Sequence, residues 1–272
     1  VIVVTGTFFG ELVAYIYLHR MINKNKKKLH LDKEYKKDKI SDKEIIKKIG
    51  MYALPFIIIN VVNNIYSFTN MVLTLRTLDH LGYSAADVEF ITSVISTWGV
   101  KLGMIVNSIA MGMTVTLIPS IVEAYTKKNW DDLNEKFNKA IQIIIYVSLP
   151  MTIGLSILST PVWTVFYNIN RYGGEILRVL IFNSLGVNVY MIVSTTLQSM
   201  NKFKGVYKAT IYGFLLNAVL VVPAMITFNH IGIPAYYGPV FSTFLSYAAS
   251  IYIGLKTISA EHKMSYKDTY KQ

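Results

Sequence analysis

The stretch ISTWGVKLGMIVNSIAMGM, residues 95–113, decides the class of this protein, because it is long, apolar and carries a single charged side chain, Lys101. A helix of about 20 apolar residues crosses the roughly 30 Å hydrocarbon core of a bilayer. The whole chain shares this character: of its 272 residues 53% are hydrophobic and 16% are charged, and the mean hydropathy is +0.40. Because open strands cannot satisfy their backbone groups in lipid, we predict an all-α, polytopic transmembrane helical bundle.

Apolar runs of this kind recur along the chain and predict about seven spans. They cover residues 1–18, 49–75, 90–121, 141–160, 176–200, 206–228 and 237–255. The chain then divides into a first transmembrane helix at 1–19, a basic linker at 20–48, a six-helix unit at 49–257 and a tail at 258–272. We expect each long helix to place its polar residues away from lipid.

The segments between the spans alternate between many and few basic residues. The linker at 20–48 holds twelve lysines and arginines. Counted with the adjoining span ends, the next five segments hold one, four, one, three (up to Lys208) and none, and the C-terminal residues from Lys256 onward hold four. Cytoplasmic loops are enriched in these residues, so the linker and the tail are predicted to be cytoplasmic. This topology accounts for the net charge of +11, and no nucleic-acid partner is expected.

The linker has two interpretations. It is either a solvated connection or a segment that binds anionic lipid headgroups, at about 1 kcal/mol per basic residue near the surface. Ser41 and Glu44 match a capping box, which predicts that a helix begins there and leads into the second span.

Two other segments are predicted to lie at the membrane surface. In residues 129–141, Asn129 is a candidate cap, and the apolar side chains fall on one helical face, which predicts an interfacial helix. Aromatic residues near the ends of later spans are predicted to form an interfacial belt. These aromatic residues are Trp163, Phe166, Tyr167, Tyr172, Tyr236 and Tyr237.

Several spans carry polar side chains on one helical face. Such a face either packs against another helix through small and hydroxyl side chains or lines a hydrated cavity. Three asparagines within five residues of the second span, close to a lysine in the third, favour a cavity. The candidate substrate-binding residues are Lys101, Thr97, Ser108, Asn60, Asn64 and Asn188.

Charged residues inside spans are costly in lipid and are therefore candidates for function. Lys101 either faces the cavity or reaches an interface or an ion-pair partner with its long side chain. Glu11 and Arg178 are candidates for a coupling group or an ion pair.

Catalysis and metal binding are not expected. The chain has no cysteine, and its five histidines form no ligand pair at helical spacing, so no metal or cofactor is predicted. No pattern of nucleophile and base lies within the spans, so an enzyme is not predicted.

Two stretches carry a resemblance to a known family. TVTLIPSIVEAYTKKN, residues 114–129, and TTLQSMNKF, residues 195–203, resemble the polysaccharide-transporter branch of the multidrug/oligosaccharidyl-lipid/polysaccharide (MOP) exporter superfamily. Within that branch they look most like the stage V sporulation protein B-like group, which is similar to the lipid II flippase family MurJ.

The resemblance implies a fold of two six-helix lobes and an extra helix pair, joined by a cytoplasmic linker. Residues 1–18 would be the last helix of the first lobe and residues 49–255 the second lobe, so the chain is expected to be a fragment. It implies a flippase in the bacterial plasma membrane, which moves an undecaprenyl-pyrophosphate-linked glycan or peptidoglycan precursor by alternating access. Lys101 would bind the pyrophosphate in a cationic cavity.

Two other functions stay open at this point. A multidrug exporter of the related MATE type would need acidic cavity residues, which are scarce here, and the same scarcity argues against sodium coupling. A seven-helix receptor or photosensor is suggested by span count alone, and the last span lacks the lysine that a retinal protein needs. The exact cargo, coupling ion, direction and oligomeric state are left open.

Overall fold

The computed structural model of the protein describes residues 2–25 and 41–262, with the side chains of residues 8–25, 41 and 43–260. Every regular element in these ranges is helical. The helices are α1 (Ile2–Lys24), α2 (Asp42–His80), α3 (Ala85–Ser93), α4 (Gly99–Thr126), α5 (Trp130–Ile157), α6 (Ser159–Tyr167), α7 (Gly173–Leu180), α8 (Asn183–Ser199), α9 (Phe203–His230) and α10 (Tyr237–His262). A π-helical turn, Val94–Trp98, joins α3 to α4.

Six helical segments in the described residues are long and apolar enough to cross a membrane. They are Lys43–His80, Ala85–Thr126, Trp130–Ile157, Gly173–Ser199, Phe203–His230 and Tyr237–Ala260. These segments confirm the all-α polytopic bundle. Each overlaps one of the six later predicted spans, although the predicted spans 141–160 and 176–200 extend past the ends of their segments at Ile157 and Ser199. The first predicted span falls in α1, where the side chains of residues 2–7 are outside the described set, so it stays a prediction.

The predicted linker at 20–48 has helical ends. Helix α1 continues to Lys24, and α2 begins at Asp42, directly after Ser41, as the capping pattern predicts. Residues 26–40 lie outside the described residues, so the side of the membrane on which they lie stays a prediction.

The predicted interfacial helix at residues 129–141 is wrong. Asn129 does cap a helix, since its side chain accepts from the Asp132 backbone amide at 3.2 Å, but α5 continues without a break to Ile157. Leu133 and Phe137 are fully buried. The apolar face of this segment therefore packs into the protein core, and lipid headgroups do not cover it.

The chain divides into two compact units, Val1–Ala53 and Leu54–Gln272. In the second unit α4, α5 and α8 pack together, and α9 and α10 pack against each other and α8. One apolar core, which includes Ile121, Phe137 and Leu197, lies near the α4–α5 and α8–α9 connections. We call this end of the unit the basic end, because the segments with four and three basic residues lie there. A second core lies at the opposite end, around Leu78 and Trp163.

The core at the opposite end is aromatic. Trp163 is 1% exposed, and its ring lies 4.7 Å from that of Tyr167 and 6.2 Å from that of Phe90. A side chain at Gly173 would collide with the indole, so glycine at this position allows α7 to approach α6. The prediction of a membrane-interface role was therefore wrong for Trp163, which packs inside the protein.

Candidate functional site

A polar groove runs along α2 in the second unit. Helix α2 stands apart from its neighbours and contacts them mainly through side chains: the Tyr66 hydroxyl donates to Thr243 Oγ1 at 3.4 Å, and the Tyr66 ring packs on Phe214. Leu78 holds the far end of α2 in the aromatic core. The space left between α2 and the rest of the bundle is the groove.

The groove has a wide part and a narrow part. The wide part, nearer the basic end, has a volume of about 460 Å³ and is lined by Phe56, Ile59, Asn60, Asn63, Tyr66, Ser67, Val187, Tyr190, Met191, Ser194, Thr195, Gln198 and Tyr247. The narrow part has a volume of about 190 Å³ and extends between α4, α8 and the start of α10. Tyr66, Ser67, Val187 and Tyr247 line both parts, so the two are continuous.

The spacing of polar residues explains why these helices line the groove. On α2, Asn60, Asn63, Ser67 and Asn70 recur every three or four residues and so share one helical face. On α8, Gln198 follows Ser194 by four residues and Thr195 by three, so it shares a helical face with both. A Cβ at Gly103 would lie 2.9 Å from Ser184 Oγ, so glycine lets α4 and α8 approach closely beside the narrow part.

Within the described residues, no Asp, Glu, Lys, Arg or His side chain lines either part of the groove. The lining is made of amides, hydroxyls, tyrosines and apolar side chains. Nor do any three His, Asp or Glu side chains in the described part of the chain come together to hold a metal ion.

Three amide oxygens in the narrow part have no hydrogen-bond donor among the described residues: the Oδ1 atoms of Asn70, Asn107 and Asn183. The Asn183 Nδ2 donates to the Val240 carbonyl at 3.3 Å, which favours the amide orientation that leaves Oδ1 without a donor. Sequence analysis missed Asn107 and Asn183. The signal for Asn107 was its position four residues after Gly103, on the helical face that Gly99 and Gly103 share.

Lys101 lies on a different face of α4 from the groove. It is exposed, together with Thr97 and Ser108, so the predicted stripe of these three residues exists on one helical face. Ser108 donates to its own helix at the Ile105 carbonyl, 2.7 Å away. The helical segment begins at Ala85, so Lys101 lies about 24 Å from its start at 1.5 Å per residue.

The ion-pair alternative for Lys101 finds no partner among the described side chains. The salt bridges there join Lys127 to Glu123 and Lys136 to Asp132, both near the basic end. The Lys101 ammonium is therefore available to a ligand from outside the described residues.

The three candidate asparagines have different positions. Asn60 lines the wide part of the groove, whereas Asn64 is exposed on α2 outside it. Asn188 is fully buried and lines neither part of the groove: its Nδ2 donates to Ser148 Oγ at 2.9 Å and lies 3.4 Å from the Val106 carbonyl. The structure therefore corrects the cavity prediction for Asn188, which links α4, α5 and α8.

Replacing Asn188 with leucine is expected to lower the free energy of unfolding by about 1 kcal/mol, the usual size of an interhelical hydrogen bond in membranes. Denaturation in mixed micelles measures this value. In a double-mutant cycle, Asn188→Leu and Ser148→Ala together should cost less than the sum of the single changes. Strict additivity would show that the two side chains do not interact.

The two candidates for a coupling group or an ion pair, Glu11 and Arg178, are both exposed. Glu11 lies on α1 in the first unit. Arg178 lies on α7 in the second unit, where its backbone carbonyl accepts from Ser156 Oγ at 2.8 Å. Its guanidinium forms no salt bridge with a described carboxylate.

A tyrosine-rich pocket of about 340 Å³ lies at the opposite end of the bundle, lined in part by Tyr83, Arg171, Tyr172, Glu175 and Tyr236. The Tyr172 and Tyr236 rings meet edge to face, with centroids 5.8 Å apart. Burial raises the pKa of both tyrosines, and the nearby Glu175 carboxylate raises that of Tyr236 further. Both hydroxyls are therefore protonated at neutral pH.

Comparison with known proteins identifies the family. The family model of the lipid II flippase MurJ matches residues 2–270, nearly the whole chain. The chain belongs to this family. Its resemblance to MurJ, inferred from residues 114–129 and 195–203, is thereby confirmed.

A curated MurJ relative gives the extent of the match. The lipid II flippase MurJ of Bacillus subtilis (strain 168) is 27% identical over 273 residues, which cover 98% of this chain and 48% of the relative. The chain thus spans about half the length of that MurJ protein. No solved structure matches the chain significantly.

Proposed function

We propose that this protein moves a lipid-linked, anionic glycan precursor of the cell wall across the bacterial plasma membrane by alternating access. Membership of the MurJ family supports the class of cargo, an undecaprenyl-pyrophosphate-linked glycan. The observation that carries the proposal is Lys101, an exposed cation without a described ion-pair partner in the interior of a membrane-spanning helix.

The physical problem in such transport is the charged headgroup. Moving an unpaired phosphate into hydrocarbon is strongly unfavourable, and a fixed cation in a hydrated surface offsets that cost. Lys101 supplies the positive charge, and Thr97 and Ser108 on the same face supply hydroxyl groups. The isoprenoid chain stays in the lipid throughout, so its movement exposes no apolar surface to water.

The groove suits a carrier that opens on one side at a time. Its wide part lies nearer the basic end, and the aromatic core around Trp163 packs the opposite end. We propose that the basic end faces the cytoplasm, as the distribution of lysines and arginines predicts. A precursor made in the cytoplasm would then enter at the wide part.

The linker at residues 20–48 would lie on the same side. Its twelve basic residues would attract both anionic lipid headgroups and the anionic headgroup of the cargo. This part of the proposal rests on charge alone, because residues 26–40 lie outside the described structure.

The other functions have less support. An exporter of cationic drugs would be expected to place acidic side chains in its cavity, and the described lining of the groove has none. Family membership argues against a receptor or photosensor. We propose transport without chemical change of the cargo, and so no role as an enzyme.

Growth of a bacterium whose own lipid II flippase can be depleted tests the proposed function. Expression of this protein should restore growth after depletion. The proposal is contradicted if the protein inserts in the membrane at the level of a functional flippase and the cells still lyse.

A further inference from the structure

We infer that the groove along α2 is a subsite for an uncharged sugar ring of the lipid-linked cargo, separate from the Lys101 face that binds phosphate. This inference rests on the proposed function and adds to it a division of the headgroup between two surfaces. The groove and Lys101 lie on different faces of α4.

The chemistry of the lining fits a neutral, hydroxyl-rich ligand. Asn60, Asn63, Thr195 and Gln198 line the wide part, and none of them carries a charge. The Gln198 Nε2 donates to Ser194 Oγ at 2.8 Å, which leaves its second N–H and its Oε1 for a ligand. A sugar hydroxyl both donates and accepts, and an acetamido group pairs its N–H and C=O with a side-chain amide. A phosphate, by contrast, finds no cation in the described lining.

The narrow part adds acceptors that require donors. The Oδ1 atoms of Asn70, Asn107 and Asn183 lack partners in the described part of the chain, and Asn183 is only 7% exposed. A buried acceptor without a donor is unfavourable by about 1–3 kcal/mol, so such groups indicate a missing ligand or water. Sugar hydroxyls that reach this part would supply the donors.

Tyrosine rings complete the subsite. The Tyr190 hydroxyl bonds Thr210 at 2.6 Å, and the Tyr66 hydroxyl donates to Thr243, so both hydroxyls are engaged within the protein. The rings of Tyr66, Tyr190 and Tyr247 line the groove, and the last two lie 6.1 Å apart. Their apolar faces match the C–H face of a pyranose.

The size of the groove favours a sugar over an ion. Pockets for small molecules usually enclose about 300–1,000 Å³, and the wide part alone encloses about 460 Å³. A bare alkali cation could bind the three unpaired amide oxygens of the narrow part, but it would leave the whole wide part empty. The two occupants give different results in the following experiment.

Saturation-transfer NMR on the full chain in phosphatidylcholine nanodiscs measures binding of N-acetylglucosamine. We expect saturable binding of N-acetylglucosamine. Glucuronate, a charged sugar of similar size, should not displace it. The double variant Asn63→Leu/Gln198→Leu should bind about tenfold more weakly, since two hydrogen bonds are lost. Asn64→Leu is the matched control: it is one residue from Asn63, lies outside the groove, and should bind as the wild type does.

A second variant keeps the inference testable if the double variant does not fold. If the double variant loses its helical circular dichroism, the isosteric change Thr195→Val carries the comparison, with a smaller loss of about threefold to fivefold for one hydroxyl. Absence of sugar binding by the wild type would overturn the inference. So would equal losses in Asn63→Leu/Gln198→Leu and Asn64→Leu, or a sodium-dependent change in the protein without any sugar binding.

Transport distinguishes this inference from the proposed function. In liposomes, the groove variant should slow translocation of the glycan-bearing lipid and leave that of undecaprenyl phosphate, which has no sugar, unchanged. An unchanged rate for both lipids would overturn the assignment of the groove to the cargo's sugar. Failure of the wild type to move either lipid would instead contradict the proposed function, while the binding result would still decide the subsite.

Discussion

Replacing Lys101 with alanine is expected to abolish transport and so the rescue of growth in cells depleted of their own lipid II flippase. The side chain is exposed in the interior of a membrane-spanning helix, and no described carboxylate pairs with it. Loss of a charge-assisted contact with phosphate removes about 1.5–3 kcal/mol of binding free energy, a factor of about 10–150 in affinity. Growth and the membrane level of the protein are measured together.

Two further variants make this prediction specific. Lys101→Arg keeps the charge and should retain most of the rescue, and Lys139→Ala removes an exposed lysine of α5 and should have no effect. If Lys101 only extends towards the membrane surface, Lys101→Ala would make insertion easier and would grow normally. Normal growth of Lys101→Ala would therefore rule out the phosphate-binding role.

Replacing Gly238 with alanine is expected to cause a large loss of stability. Gly238 lies in the first turn of α10, where an added Cβ would fall 2.6 Å from the Met225 backbone nitrogen and 2.8 Å from its Cα. Backbone atoms cannot rotate away as a side chain can, so α9 and α10 would have to separate. Such overpacking usually costs about 1–3 kcal/mol.

The midpoint of thermal unfolding in detergent micelles measures this effect, and it should fall by several degrees. Gly154→Ala is the matched control, because a Cβ at this position of α5 meets nothing within 4 Å. Equal midpoints for the two variants would contradict the close approach of α9 and α10.

Residue patterns predicted the parts of this fold that depend on single helices. The length of each apolar run predicted the later six spans, because crossing a bilayer fixes the length of a helix. The shared face of Asn60 and Asn63 on α2, and that of Thr97 in the π-helical turn with Lys101 on α4, follow from helical periodicity and are present in the structure.

Features that depend on a second helix could not be predicted in this way. Trp163 resembled an interfacial residue because it lies near the end of a span, yet α7 covers it at Gly173. Asn188 resembled a cavity residue, and only the position of Ser148 on α5 shows that it joins helices. The pairing of helices decides whether a polar side chain faces a cavity or another helix.

The narrow part of the groove illustrates the same limit. Asn107 lies on α4 and Asn183 on α8, and three helices separate α4 from α8 along the chain. No short sequence motif contains both residues. Their unpaired amide oxygens become apparent only when the helices are packed.

Translocation in liposomes tests the central proposal most directly. The purified protein is reconstituted with lipid II labelled with a fluorophore, and a membrane-impermeant quencher reports how much label reaches the outer leaflet. The proposed function predicts that the protected fraction exchanges between leaflets faster with the wild type than with Lys101→Ala or in empty liposomes. Exchange no faster than in empty liposomes, by protein shown to be folded and inserted, would contradict it.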